Sequence, residues 1–200
     1  MRTAPTRSSP WTAPAAAGGY GCPIRGAELV SLLREDWLTH DRDIHSPGLR
    51  ALAVHRLGNW RLSIRRPVLR APFSLLYRAL HRFVSNYYGI ELPYSVVIGR
   101  RTKIEHQGGI VIHGDCRIGN DCVIRQNTTL GVRWTDRPHA VPVLGDGVDI
   151  GAGAVVLGPI LIGDGACIGA NAVVLQDVPA GGRAVGNPAR LLSPKVVRRA

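Results

Sequence analysis

The run LGDGVDIGAGAVVLGPILIGDGACIGANAVV, residues 144–174, puts an aliphatic residue at every sixth position: Leu144, Ile150, Val156, Ile162, Ile168 and Val174. Upstream, Ile118, Ile124 and Leu130 keep the step, as do Ile98, Ile104 and Ile110, with a two-residue slip that moves the frame to Ile112. Glycine often follows the aliphatic residue, as at Gly99, Gly119, Gly145, Gly151, Gly163 and Gly169. Four positions after it comes a small or β-branched residue, among them Thr102, Cys116, Cys122, Thr128, Val148, Ala154, Ala166, Ala172 and Val178. A period of six is neither the 3.6 of a helix nor the 2 of a plain strand. The chain must turn a corner within each unit, so each hexad is one short strand plus one corner of a parallel β-helix. The aliphatic residue points into a narrow core and the small one fills the space beside it.

This frame removes two other readings. Gly145-Asp146-Gly147 and Gly151-Ala152-Gly153 suggest a dinucleotide fingerprint, but its third glycine would fall on the core positions Ile150 and Val156. Cys116 and Cys122 fill the small-residue slot, so both read as packing. With Cys167 and Cys22 they show no metal-ligand spacing, and unpaired thiols suit a reducing, cytoplasmic compartment.

Outside the hexads the texture changes. Residues 1–90 hold 13 Arg and 5 acidic residues (+8), and residues 91–200 hold 12 basic and 9 acidic residues (+3), which together give the net +11. Residues 1–25 are rich in Pro, Ala, Gly and Ser and read as a disordered tail. Residues 26–89 read as an α-helical domain: a helix from Ala27 to His40, a break at Ser46-Pro47-Gly48, a helix from Leu49 to Leu62, and a third from Val68 to Tyr88 with Leu69, Leu76, Leu80, Phe83, Val84 and Tyr87 as its apolar stripe. The coil takes 90–192 and a short tail 193–200. The arginines fall between the apolar positions and read as a solvated helix face, so no nucleic-acid partner is expected. The most apolar stretch, Pro67 to Val84, is broken by Arg70, Arg78 and Arg82, and no integral membrane segment is expected. Residues 1–21 lack the apolar core of a secretory signal.

Chemistry becomes possible where the repeat is broken. Leu130 and Leu144 stand 14 residues apart instead of 6, so a loop over 131–143 leaves the coil. The other break is the Ile110–Ile112 slip, preceded by Glu105-His106-Gln107-Gly108-Gly109. His106 is two places past a core aliphatic, away from the core; His113 is its local competitor. Glu91 lies 15 residues before His106 (106 − 91), close to the ~18 residues of a three-hexad turn, and can stand one rung away to orient the imidazole.

The hexad run resembles the left-handed β-helix acyltransferases, and Ala27–Leu192 as a whole resembles the serine O-acetyltransferase family. The helical segment Pro47-Gly48-Leu49 through His55-Arg56-Leu57-Gly58-Asn59-Trp60 carries the likeness, as do Tyr88-Gly89-Ile90-Glu91, Glu105-His106, Thr128-Thr129-Leu130-Gly131, Ile150-Gly151-Ala152-Gly153-Ala154 and Val185-Gly186-Asn187-Pro188-Ala189-Arg190. The resemblance implies an α+β chain, helical first and then a left-handed β-helix. It also implies acetyl transfer from acetyl-CoA to the hydroxyl of L-serine in cysteine biosynthesis, without a metal. On it, His106 is the general base, Glu91 its acidic partner, and Glu105 the holder of the acceptor's amino group. Gly131, Ala152 and Ala170 line the CoA arm, in a groove between neighbouring coils of a homotrimer or a dimer of trimers.

The sequence also departs from the family. The family has Asp-Arg-His-Pro in the loop, where its arginine and histidine recognise the acceptor carboxylate; this chain has Asp136-Arg137-Pro138-His139. A gapless alignment puts the family histidine on Val141, so Arg137 and His139 are the candidates for that task. An O-acetyltransferase of a sugar, a polysaccharide unit or a specialised metabolite is the alternative that this loop leaves open. The chain closes on Val196-Val197-Arg198-Arg199-Ala200 instead of a tail with terminal isoleucine, so a cysteine synthase complex is not expected.

Overall fold

The computed structural model describes residues 24–192. The tails expected over 1–25 and 193–200 lie outside it except for Ile24 and Arg25, as does Cys22. Three α-helices come first: α1 (Gly26–Thr39), α2 (Pro47–Trp60) and α3 (Pro67–Phe83), the last continued by a π-turn, Val84–Tyr88. Pro47 does not break the chain. It opens α2 at its first turn, where its missing N–H costs nothing, and Ser46 Oγ accepts from Leu49 N at 3.5 Å. On α3 the expected stripe is only partly inward: Val84 is buried, but Leu69, Leu76, Phe83 and Tyr87 are exposed. Tyr77 takes the inward position because its hydroxyl accepts from Tyr94 N at 3.1 Å, its ring meets Tyr94 edge-on, and the Arg61 guanidinium lies over it.

Among the described residues, fifteen short strands follow, β1 (Ile90–Glu91) to β15 (Arg190–Leu192). One sheet stacks β1, β4 (Ile110–Ile112), β7 (Thr129–Gly131), β10 (Val155–Leu157) and β13 (Val173–Val174). A second stacks β2 (Val97–Ile98), β5 (Arg117–Ile118), β8 (Val143–Leu144) and β11 (Leu161–Ile162). The third contains β3 (Lys103–Ile104), β6 (Val123–Ile124), β9 (Asp149–Ile150), β12 (Cys167–Ile168) and β14 (Arg183–Val185), edged by antiparallel β15. Each of the other strands pairs in parallel with the strand one turn of the coil away, as the hexads predict. The core is the hexad list itself: Ile104, Ile110, Ile112, Ile124, Leu130, Ile150, Val156, Ile162, Ile168 and Val174 are all at most 1% exposed. Cys116 and Cys122 fill their slots fully buried, and burial pushes their thiols up to about 12 and about 11.

The Ile110–Ile112 slip is absorbed on one strand, β4. Ile110 pairs with Ile90 of β1, while Ile112 pairs with Leu130 of β7. The helices dock on the first coil through α2. A Cβ at Gly48 would stand 2.1 Å from Ile104 O, so only glycine lets the helix lie on β3. Around this contact, buried Arg56 pairs with Asp36 at 3.2 Å and donates to Ile98 O and Gly99 O, and Ile104 N donates to His40 Nε2 at 3.2 Å. Among the described residues no helix is long and apolar enough to cross a membrane.

Candidate active site

The three-sided coil has three edges, each a column of corners. On one edge stand residues 105–109, 125–128, 151–154 and 169–172, the corners that follow β3, β6, β9 and β12. Their backbone runs through the left-handed region on every turn, at Gly109 (φ 64), Asn127 (φ 59), Gly153 (φ 72) and Asn171 (φ 56). His106 lies at the head of this column, exposed and itself at φ 66, a conformation that a non-glycine residue holds only where its surroundings fix it. Two backbone bonds fix it: Glu105 N donates to Ile124 O at 2.9 Å, and Gly108 N donates to Tyr88 O at 2.8 Å. Ala152 and Ala170 stand two and three coils on, in the same column. Gly131, buried at the end of β7, opens the adjacent edge.

His106 and Glu105 form one wall of a groove of about 460 Å³, whose other wall is helical: His40, Asp41, Asp43, Ser46 and Pro47, with Lys103 and Ile104 at the floor. The groove is acidic, but its carboxylates are not equivalent. Asp41 pairs with Lys103 at 2.8 Å, and that hydrogen bond holds its carboxyl below the usual range. Glu105 pairs with Arg125 at 2.9 Å, and Arg125 also pairs with Asp149, whose hydrogen bond is the main cause of its raised pKa. Among the described residues the Asp43 carboxylate accepts only the backbone N–H of His45, at 2.8 Å, and has no cationic partner. Sequence reasoning missed this helical wall. Its signal is the Asp41-Arg42-Asp43 linker, two carboxylates between helices with neither capping one, and Asp41 and Arg42 are both left-handed.

Glu91 stands apart from the groove. It ends β1, is exposed, and lines a larger groove of about 1050 Å³ beneath α3 with Arg78, His81, Arg82 and Tyr87. Burial pushes the His81 imidazole down, and the Glu91 charge opposes that shift. No hydrogen bond joins Glu91 and His106 among the described residues, although the chain at Tyr88, three residues before Glu91, is bonded to the His106 corner.

Arg137 and His139 lie on a different edge. The loop leaves between β7 and β8 and stacks Arg133 and Arg137 against the Trp134 ring, at 4.8 and 5.4 Å. His139 Nδ1 lies 2.7 Å from Asp115 Oδ2, at the corner one coil below. Val141, where the family histidine aligns, is buried at 8% exposure and packs into the core. In a single chain, therefore, the loop candidates and His106 are separated by the full width of the sheet built on β1, β4, β7 and β10. His113, the local competitor of His106, belongs to this loop edge, with its Nδ1 3.9 Å from Asp115.

Residues 142–176 match the family model described as bacterial transferase hexapeptide (six repeats). The serine acetyltransferase of Helicobacter pylori strain 26695 is 41% identical over 147 residues, covering 74% of this chain and 82% of that protein. Against four other curated serine acetyltransferases, those of Synechococcus elongatus and Mycobacterium tuberculosis among them, the chain spans only 45–61% of their length. Among solved structures, soybean serine acetyltransferase complexed with serine superposes with a TM-score of 0.69 at 35% identity, covering 82% of this chain and 69% of that one. The serine acetyltransferase of Brucella abortus in complex with coenzyme A gives 0.72 at 26% identity, covering 84% and 68%.

Proposed function

The chain belongs to the serine acetyltransferase family, and we propose that it transfers the acetyl group of acetyl-CoA to the hydroxyl of L-serine. The observation that carries this reading is the His106 groove, where an exposed imidazole held at a fixed corner faces carboxylates able to take an amino acid's ammonium group. His106 acts as general base. It removes the hydroxyl proton as the oxygen attacks the thioester carbonyl, the C–S bond breaks, and the thiolate leaves and is protonated. A serine hydroxyl is a poor nucleophile at neutral pH, and a positioned base contributes on the order of 10²–10⁴-fold. Asp43 takes the ammonium group, with Glu105 beside it in its pair with Arg125. Glu91 reaches the imidazole by rotating about its side chain from the strand bonded to the His106 corner, and holds its tautomer. Gly131, Ala152 and Ala170 present little side-chain bulk; a Cβ at Gly131 would meet only Leu157 Cδ2, at 3.9 Å. Brought together from the two edges by neighbouring copies, these positions would suit a slender pantetheine arm.

The coil is left-handed in this reading, as in the acyltransferases it resembles, and the working unit is a trimer. Arg137 and His139 stand on the edge next to the His106 column, so a threefold neighbour brings its loop to the groove. The resulting site would take the acceptor carboxylate on the neighbour's loop. Residence in the cytoplasm suits three free thiols at Cys116, Cys122 and Cys167, and the product would feed cysteine synthesis.

A second reading has one observation in its favour. The half-exposed Trp134 ring, with two guanidiniums near it, offers a surface on which a sugar could stack, and the loop lacks the family's histidine. Acetyl-CoA consumption measured with L-serine and with a panel of free and nucleotide-linked sugars separates the two. L-serine is expected to support turnover, and strict dependence on a sugar would replace the first reading with the second.

A further inference from the structure

On three successive coils of the His106 column, Glu105, Arg125 and Asp149 form one chain of charge. Arg125 Nε lies 2.9 Å from Glu105 Oε2, and its Nη1 donates to Asp149 Oδ1 and to Ile150 O at 3.4 Å. All three side chains are half-buried, at 31% exposure for Arg125, 29% for Glu105 and 45% for Asp149. Partial burial strengthens the pairing beyond that of a free surface ion pair. The guanidinium is held from both sides in a fixed fork, and Glu105, the residue read above as an ammonium ligand, already has a cation.

From this geometry we infer that Arg125 is a specificity-determining residue for the acceptor. It neutralises Glu105 and leaves Asp43 as the one carboxylate of the groove available to an amine. This rests on the reading of the groove as the acceptor site. A groove with both carboxylates free would favour ammonium-bearing acceptors strongly, because each charge-assisted hydrogen bond is worth about tenfold or more in affinity. With Arg125 in place the preference is muted, and hydroxyl acceptors without an amine are admitted. The hydrocarbon part of Arg125 does not itself line the groove, so its effect on the acceptor runs through Glu105.

The test compares L-serine with 3-hydroxypropionate, which keeps the hydroxyl and the carboxylate and lacks the amine, using the full-length protein and acetyl-CoA. In Arg125→Leu the ratio of kcat/KM for L-serine to that for 3-hydroxypropionate is expected to rise about tenfold, through a lower KM for L-serine with kcat little changed. Arg125→Gln, which keeps a hydrogen-bonding side chain without the charge and is the milder change for folding, shifts the ratio in the same direction. Arg125→Lys and Asp149→Asn, which leave a cation on Glu105, keep the wild-type ratio. An unchanged or lower ratio in folded Arg125→Leu or Arg125→Gln overturns the inference. So does an equal loss with both acceptors, which would make Arg125 a structural brace. If the wild-type protein turns over neither acceptor, the functional reading itself falls and this inference with it. That outcome is distinct from an active enzyme whose ratio ignores Arg125.

Discussion

In the mechanism proposed above the chemistry depends on His106, and its replacement by alanine is expected to lower kcat at least 10²-fold with the circular dichroism spectrum unchanged. Glu91→Gln should cost less, because an orienting carboxylate acts only through the imidazole; an unchanged rate would refute that role. A different histidine controls stability. His55 is 1% exposed, its Nε2 donates to Val96 O at 2.9 Å, and its Nδ1 is buried with no partner among the described residues. Burial, with the Arg56 charge second, pushes its pKa down to about 3 from 6.5. The unfolded chain takes up a proton below pH 6.5 and the native protein does not, so stability is full above 6.5 and falls as pH drops toward 3. His81, also pushed down by burial, adds to the loss in the same direction. Denaturant midpoints should fall between pH 6.5 and 4.5, above the range where the lowered carboxyls of Glu35, Asp41 and Asp121 titrate, and the fall should be shallower in His55→Gln. An equal slope in both proteins would remove His55 as the cause. At this scale the sequence was informative where a residue could be referred to the hexad frame: His106 and Glu105 stood out as off-core residues at a break. Asp43, Arg125 and Asp149 did not. Asp43 reaches the groove only because α2 docks on β3, and Arg125 matters only because coils 20 or more residues apart in sequence are stacked.

Among the elements, the parallel stacking of the hexads was legible, the antiparallel return of β15 was not, and the helices were less so, for a physical reason. A hexad core is one residue deep and repeats, so its inward positions follow from period alone. The helices pack on something outside their own sequence. The buried face of α2 includes His55, Arg56 and Asn59; His55 and Arg56 reach the backbone of Val96, Ile98 and Gly99 far along the chain, Asn59 donates back to His55 O, and α3 buries Tyr77 because Tyr94 and Arg61 are there to meet it. Two substitutions test the joints between elements. Gly48→Ala drives a Cβ into the Ile104 backbone, and neither backbone can give way without separating α2 from β3. The expected cost is about 1–3 kcal/mol or more, together with a drop in kcat/KM, because β3 leads directly into Glu105 and His106. Retained stability and rate would mean that the helices are not seated this tightly. On the edge away from the site, side chains brace one coil against the next: Arg100 N donates to Asn120 Oδ1 at 2.9 Å, Asn120 N to Asp146 Oδ1 at 2.7 Å, and Asp146 N to Asp164 Oδ1 at 2.8 Å. Asp146→Ala removes the middle link and leaves the site alone. A loss of about 1–2 kcal/mol is expected, read as a lower thermal midpoint with kcat unchanged.

At the scale of the molecule, the arrangement of edges decides what one chain can do by itself. The parallel coil places His106 and its acidic groove on one edge, and Arg137 and His139 on the next. The sheet between them is rigid, with core residues at most 1% exposed, so no loop movement within a chain closes that distance without unpairing strands. In the trimer proposed above, a ring of three copies would close it by contact, because each copy then offers a different edge to each neighbour, as a heterologous interface requires. The consequence is a complementation experiment. His106→Ala and the double variant Arg137→Ala/His139→Ala should each be nearly inactive, for opposite reasons: one lacks the base, the other the acceptor-binding loop. If the two are unfolded together, refolded as a mixture and assembled at random, about one interface in four pairs an intact His106 with an intact loop. Roughly a quarter of wild-type activity should return, and none should return when the variants are mixed after assembly without subunit exchange. Activity that stays at the sum of the two parents would mean that each chain builds its site alone, and the loop would then have to be dropped from acceptor recognition.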